Sequence, residues 1–325
     1  MREKRLFNFL RKIKFFIKAI IHFFTVTIWV ASAEMGWSAF KKAWYRVSRI
    51  LTITIEQFRK NQCTTSASDL TYYLLFAVVP FLTIAYAVAI FLGLESFLNT
   101  QIYSALGEQA MGQRLIEFAL RIVFEAEGGM ITAVALVFFF WSIISMLRRI
   151  ESTMNNVWGV TEQRNFLPRV LGYIAFFIVA PILLVIGSAA NIFVSTNIIS
   201  FFPCFLQDSL HFLTSFLVPI GVFSVLFFII YQVVPNQKIN PRSSLWAALL
   251  AGTAFQVLQF YYFHFQISIS SYNTIYGSLA ALPLLLVWAR LSWTTILFGA
   301  ELAYGIEKER EFTSSQQSHP PSRNP

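Results

Sequence analysis

The chain has 325 residues, 56% of them hydrophobic and 13% charged, with a formal net charge of +9 and a mean hydropathy of +0.60. Soluble domains carry about a quarter charged residues, and a water-soluble fold of this length could not bury so much apolar surface in one core. The composition excludes an ordinary soluble enzyme and makes the bilayer the solvent; the 35 phenylalanines suit lipid-facing and interfacial surfaces.

Residues 6–28 show helical spacing, with Leu6, Phe9, Leu10, Ile13, Ile17, Ile20 and Phe24 on one face and Arg11, Lys14, Lys18 and His22 on another. Residues 36–60 repeat the design, with Trp37, Phe40, Trp44, Val47, Leu51 and Phe58 opposed to Lys41, Lys42, Arg49 and Lys60. Basic amphipathic helices with interfacial Trp lie on anionic leaflets, so 1–68 reads as cytoplasmic interfacial helices. A rival reading makes 15–33 a seventh span, which would strand the basic residues of 41–60 outside or invert everything downstream. The basic residues that interrupt the early apolar run do not fit a cleaved signal peptide.

The fold class expected is all-α: a polytopic membrane protein with six transmembrane helices in a bundle over 69–304. The spans are expected at about 69–92, 129–147, 169–194, 211–234, 244–268 and 277–304, since each is long enough for the ~20 helical residues a crossing needs. None shows the alternation of a barrel strand. The connection 93–128 is too long for a bare loop; its helical spacing predicts short helices over the outer mouth. The polar, Pro-rich tail, 305–325, reads as cytoplasmic and disordered.

Lys and Arg crowd the first 68 residues and recur as Arg148, Arg149, Arg164 and Arg169, as Lys238 and Arg242, and as Lys308, Arg310 and Arg323. The intervening connections hold only Arg114 and Arg121. By the positive-inside rule this alternation predicts both termini in the cytoplasm. The basic balance is then a topology signal, and no nucleic-acid partner is expected. The expected partners are membrane lipids, with room for a homo-oligomer.

No Ser-His-Asp arrangement, Gly-rich phosphate loop or metal-ligand spacing emerges, so neither catalysis nor a metal or other cofactor is expected. Cys63 and Cys204 fall at opposite faces of the map and cannot bridge within one chain.

Polar residues within spans are costly and usually face the bundle interior. Arg290, near the middle of the sixth span, is either a counter-charge for an anionic substrate or a structural residue that snorkels or bonds freed carbonyls. Asp69, Asn191, Gln256 and Gln259 could line the same cavity or serve as interhelical hydrogen bonds. Glu301 is expected to meet Arg148 or Arg149 at the cytoplasmic edge, where Glu151 also lies, as ion pairs fixing helix register. Pro80, Pro181, Pro219 and Pro283 fall inside spans, and broken helices can build transporter sites. Ala248 and Gly252, four apart, mark close helix packing.

Three stretches together resemble the YihY/BrkB family of bacterial inner-membrane proteins. They are Ala67-Ser68-Asp69-Leu70-Thr71-Tyr72-Tyr73 running on to Pro80 and Phe81, Ile150-Glu151 followed by Asn155-Asn156-Val157-Trp158-Gly159-Val160, and Tyr276-Gly277-Ser278-Leu279-Ala280 with Gly299-Ala300-Glu301-Leu302. The resemblance covers about 40–305 and adds Tyr73 to the candidate cavity. It implies a six-helix inner-membrane protein whose members have been labelled virulence or serum-resistance factors, and some ribonuclease BN, a label the sequence supports with no nuclease site. Arg290 and Asp69 depart from the family's usual Tyr and small or uncharged residue. The function expected is a transporter or flippase-like protein for an anionic or amphiphilic solute; the alternative is a non-transporting scaffold or envelope-assembly factor.

Overall fold

The computed structural model describes residues 38–76, 93, 130–161, 204–270 and 281–318, with scattered positions between 179 and 199. Among these, the regular elements are helical and there is no strand. We number the helices α1 (Ala39–Lys60), α2 (63–76), α3 (Met130–Val157), α4 (Cys204–Val233), α5 (Pro241–Ser270) and α6 (Ala281–Ser318). Within them, Ser209–Val233, Pro241–Phe265 and Pro283–Ser315 are long and apolar enough to cross a membrane; they overlap the last three expected spans. The expected span 129–147 falls within α3. The remainder of 69–92, most of 169–194, the stretch 6–33 and the connection 93–128 except Gly93 lie outside the described residues.

Helix association in lipid gains little from apolar contact alone, because lipid tails are as apolar as leucine; it depends on close packing. The α4–α6 core shows this. A Cβ added to Gly252 would lie 2.5 Å from Ser224 Oγ and 2.9 Å from Ser224 N, so α5 touches the backbone of α4 there. At Gly299 a Cβ would strike the Tyr231 hydroxyl and lie 2.6 Å from Ala251 Cβ, so three helices converge on one glycine. Tyr231 is fully buried and donates to the Ile296 carbonyl at 2.9 Å. Ala247, Ala248, Ala300 and Ala303 complete the small-residue seam, with Phe227 and Phe255 filling the space beside it.

Helix α1 packs along the C-terminal part of α6. Gly305 admits Thr54, whose Oγ1 would be 2.6 Å from an added Cβ. Arg49 and Glu309, both buried, pair at 3.1 Å, and the more exposed Arg46 reaches Glu309 at 3.2 Å. Phe40, Trp44, Val47, Leu51 and Ile55 form the opposite, exposed face of α1. The helix thus turns polar side chains towards the protein and an apolar stripe outwards.

The expectation of disorder in the tail is corrected over 305–318, since α6 stays helical to Ser318; residues 319–325 lie outside the described residues. At 38 residues α6 is about 57 Å long, well beyond a hydrocarbon core of ~30 Å. Glu309 holds this extension against α1 and accepts from Thr313 at 2.9 Å, while Lys308 and Glu311 pair along the helix at 2.8 Å. Local polarity suggested a free tail; a long-range clamp orders it.

Candidate functional site

The site begins where α1 gives way to α2. The α1 helix closes with Asn61 N donating to Gln57 O at 2.8 Å and Gln62 N to Arg59 O at 3.2 Å. Gln62 then takes φ 51°, the left-handed conformation, and its carbonyl starts α2 by accepting from Thr65 N and Ser66 N. A non-glycine residue there is uncommon and costs energy. The break lets the chain change direction without leaving the helical bundle, and it places Asn61 and Gln62 at the end of a polar stripe. Gln62, Thr65, Ser66 and Asp69 follow at helical spacing on α2.

Helix α3 presents the facing stripe: Arg149, Ser152, Thr153 and Asn156. It ends in a tight cap, with Val160 N bonded to Asn155 O at 2.9 Å and Gly159 at φ 64°. The two asparagines fix this end in space. Asn155 Oδ1 accepts from Asn236 N at 2.7 Å, tying it to the α4–α5 connection, and Asn156 Nδ2 donates to Asn61 O at 3.4 Å.

Between the stripes lies a cavity of about 410 Å³ lined by Lys60, Asn61, Gln62, Thr65, Ser66, Asp69, Arg149, Ser152, Thr153, Asn156 and Val160. Ligand pockets run from about 300 to 1,000 Å³, so the space suits a small polar group. Arg149 forms an ion pair with Asp69 across it. Lys60 has no ion-pair partner among the described residues, which leaves the cavity with an excess positive charge.

Beneath Asn61 sits a buried carboxylate. Glu301 is 0% exposed; its Oε1 accepts from Asn61 Nδ2 at 2.8 Å and from Cys63 Sγ at 3.3 Å. Its Oε2 has no hydrogen-bond partner among the described residues. Asn61 therefore both lines the cavity and bonds this carboxyl. Burial first, then the neighbouring Glu301 charge, push the Cys63 thiol well above its ordinary range.

The expected pairing of Glu301 with Arg148 or Arg149 is thus corrected. Arg149 is taken by Asp69, Arg148 is exposed, and the α1–α2 junction supplies uncharged donors instead. Glu151 is buried on α3. Tyr73, half-buried, lies one turn above Asp69 and meets Tyr72 edge-on at 5.9 Å. Gln256 and Gln259 are half-buried on α5, and the Oε1 of each is buried with no hydrogen-bond partner among the described residues. Arg290 is exposed on the outer face of α6 between exposed Val287 and Leu291, apart from the cavity. Asn191 lies outside the described residues. Sequence reasoning missed Lys60, Asn61, Cys63, Thr65, Ser66, Ser152 and Thr153. The available signal was the pair of polar stripes at spacings of three and four, one on each side of the first two spans. Among the described residues no group of His, Cys, Asp and Glu could hold a metal ion.

The family model for Virulence factor BrkB matches residues 54–324. A UPF0761 membrane protein of Chromohalobacter salexigens is 32% identical over 81% of this chain and 64% of its own length. One of Alkalilimnicola ehrlichii is 30% identical over 81% of this chain and 59% of its own length, and one of Legionella pneumophila is 27% identical over 84% and 65%. The chain therefore spans about three-fifths of the length of these relatives. No solved structure matches it. With the family model covering the cavity helices α2 and α3 and the whole α4–α6 core, this membrane protein belongs to the virulence factor BrkB family.

Proposed function

We propose that the protein is a transporter or flippase-like carrier of an anionic or amphiphilic solute in the bacterial cytoplasmic membrane. In this reading it has six spans and both termini in the cytoplasm, and it works without covalent chemistry. The observation that carries the reading is the polar cavity between α2 and α3, with Lys60 and Arg149 on its wall. A bundle serving only as an anchor has no use for empty polar space, because each polar group facing it gives up packing. The buried oxygens of Gln256 and Gln259, lacking partners among the described residues, support a polar route further along the bundle. The exposed stripe of α1, with Trp44 at its centre, supports a membrane-surface position for that helix.

Native mass spectrometry of the purified chain, followed by flux measurements on any retained solute in proteoliposomes, tests this reading. Flux that falls in Arg149→Gln while the protein stays folded supports it. A folded chain that retains no solute, with equal leak in loaded and empty vesicles, refutes it and favours the scaffold alternative.

A further inference from the structure

The cavity does not end in a closed roof. On α2 the stripe that carries Thr65, Ser66 and Asp69 continues as Tyr72, Tyr73 and Phe76 at the same helical spacing. On α3 the stripe from Asn156 through Ser152 and Arg149 continues to Trp141 and Phe138. The upper residues form a chain of ring contacts that crosses between the two helices at Phe76 and Phe138. Tyr72 and Phe76 rings are 5.0 Å apart, Phe76 and Phe138 6.3 Å, and Phe138 and Trp141 5.8 Å. All four are exposed, Tyr72 at 59% and Trp141 at 57%. Each helix face is therefore polar and charged at one end and aromatic at the other, and the two faces are in register.

The dimensions fit one class of molecule. Phe138 precedes Arg149 by eleven residues, or about 16 Å along the axis; half of a hydrocarbon core is about 15 Å. The distance from Arg149 to the far end of the aromatic track thus matches one leaflet's acyl region, and on α2 the track begins at Tyr72, three residues beyond the cavity residue Asp69. Lys60 and Arg149 offer charge-assisted hydrogen bonds, and the hydroxyls and amides around them add neutral donors. Ordinary lipid-facing helix surface needs no such cavity below it, and a site for a water-soluble anion needs no aromatic track above it.

We infer that, given the transport reading on which this rests, the carried solute is an anionic glycerophospholipid of the leaflet at the basic end of the bundle. Its phosphate headgroup sits between Lys60 and Arg149, and its acyl chains lie along Tyr72, Phe76, Phe138 and Trp141. An entering phosphate competes with Asp69 for Arg149, so the ion pair opens as the headgroup seats and re-forms when it leaves.

The test uses the full chain, purified and offered phosphatidylglycerol, phosphatidylcholine or glycerol 3-phosphate, with retained molecules counted by native mass spectrometry. Fluorescent phosphatidylglycerol flipping is measured on the same preparations in proteoliposomes. Phosphatidylglycerol should be retained about tenfold more strongly than phosphatidylcholine. Lys60→Gln should remove most of that preference, and the Phe138→Ala, Trp141→Ala pair should weaken retention of both lipids. Arg149→Gln should act like Lys60→Gln; if it fails to fold without its Asp69 pair, the exposed Lys60 position carries the test alone. Selective, Lys60-dependent retention without flipping supports the lipid site and overturns the transport reading. Equal retention of the two lipids, or tight glycerol 3-phosphate binding that ignores the aromatic pair, overturns the lipid inference, and in the latter case leaves transport of a soluble anion standing.

Discussion

Where α4, α5 and α6 meet, the backbones approach until Gly252 and Gly299 have no space for a Cβ, and the large Tyr231 is entirely enclosed. Where α2 faces α3, the chain keeps a cavity of about 410 Å³ with an ion pair across it and a carboxylate buried below it. The first region is built as lipid demands, since contact with another helix must be better than contact with acyl chains. The second forgoes that gain. Substitutions in the first should change stability, and those in the second should change what the protein binds.

The largest effect is expected where packing is tightest. Gly299→Leu would drive a branched side chain into Tyr231 and Ala251, costing about 3 kcal/mol or more. Size-exclusion profiles and thermal melts in detergent should show loss of folded protein, and a Gly299→Leu chain melting like the wild type would show that the convergence is looser than described. Arg49→Ala should cost about 3 kcal/mol, because it leaves the buried Glu309 with Arg46, which is exposed, as its remaining ion-pair partner among the described residues. Arg46→Ala, at the exposed end of the same clamp, should cost under about 0.5 kcal/mol. Proteolysis of the α6 extension would report both.

At the cavity floor the expected effects are smaller and depend on chemistry. Glu301→Leu leaves Asn61 and Cys63 without an acceptor and should cost about 2 kcal/mol, whereas Glu301→Gln keeps an acceptor and should cost less than about 1 kcal/mol. Equal melts for the two variants would mean that the hydrogen bonds contribute nothing. Because the Cys63 thiol is pushed up, its thiolate appears only at higher pH. Labelling of Cys63 in a Cys204→Ser chain should stay slow between about pH 7 and 9, where an ordinary thiol of pKa about 8.5 becomes reactive. A rate that rises with pH like that of a free thiol would contradict the enclosed position. Least affected should be Arg290→Gln, within about 0.5 kcal/mol in stability and without change in lipid retention.

The sequence made the tight region legible and left the open one obscure, for physical reasons. Continuous apolar runs disclosed α4, α5 and α6, and the spacing of Ala248 and Gly252 disclosed their close approach. Both signals are local. Opposite charges are visible in a sequence and point Glu301 to the nearest arginines, whereas the left-handed turn at Gln62 that brings Asn61 and Cys63 to it is not. The order in residues 305–318 depends on Arg46 and Arg49, more than 250 positions earlier. Arg290 did carry a usable signal: Ala289, Ser292 and Ile296 mark the buried face of α6, and Arg290 stands about 100° from its immediate neighbour Ala289.

The most direct test of the central claim is whether the space between α2 and α3 admits water while the α4–α6 seam does not. Single cysteines placed at Thr65, Ser152 and Ala248, in a chain retaining buried Cys63 and carrying Cys204→Ser, can be challenged with a membrane-impermeant thiol reagent from the side bearing the basic residues. Rapid labelling of Thr65→Cys and Ser152→Cys, with none at Ala248→Cys, is the result expected. Protection of both cavity positions in folded protein would contradict the account.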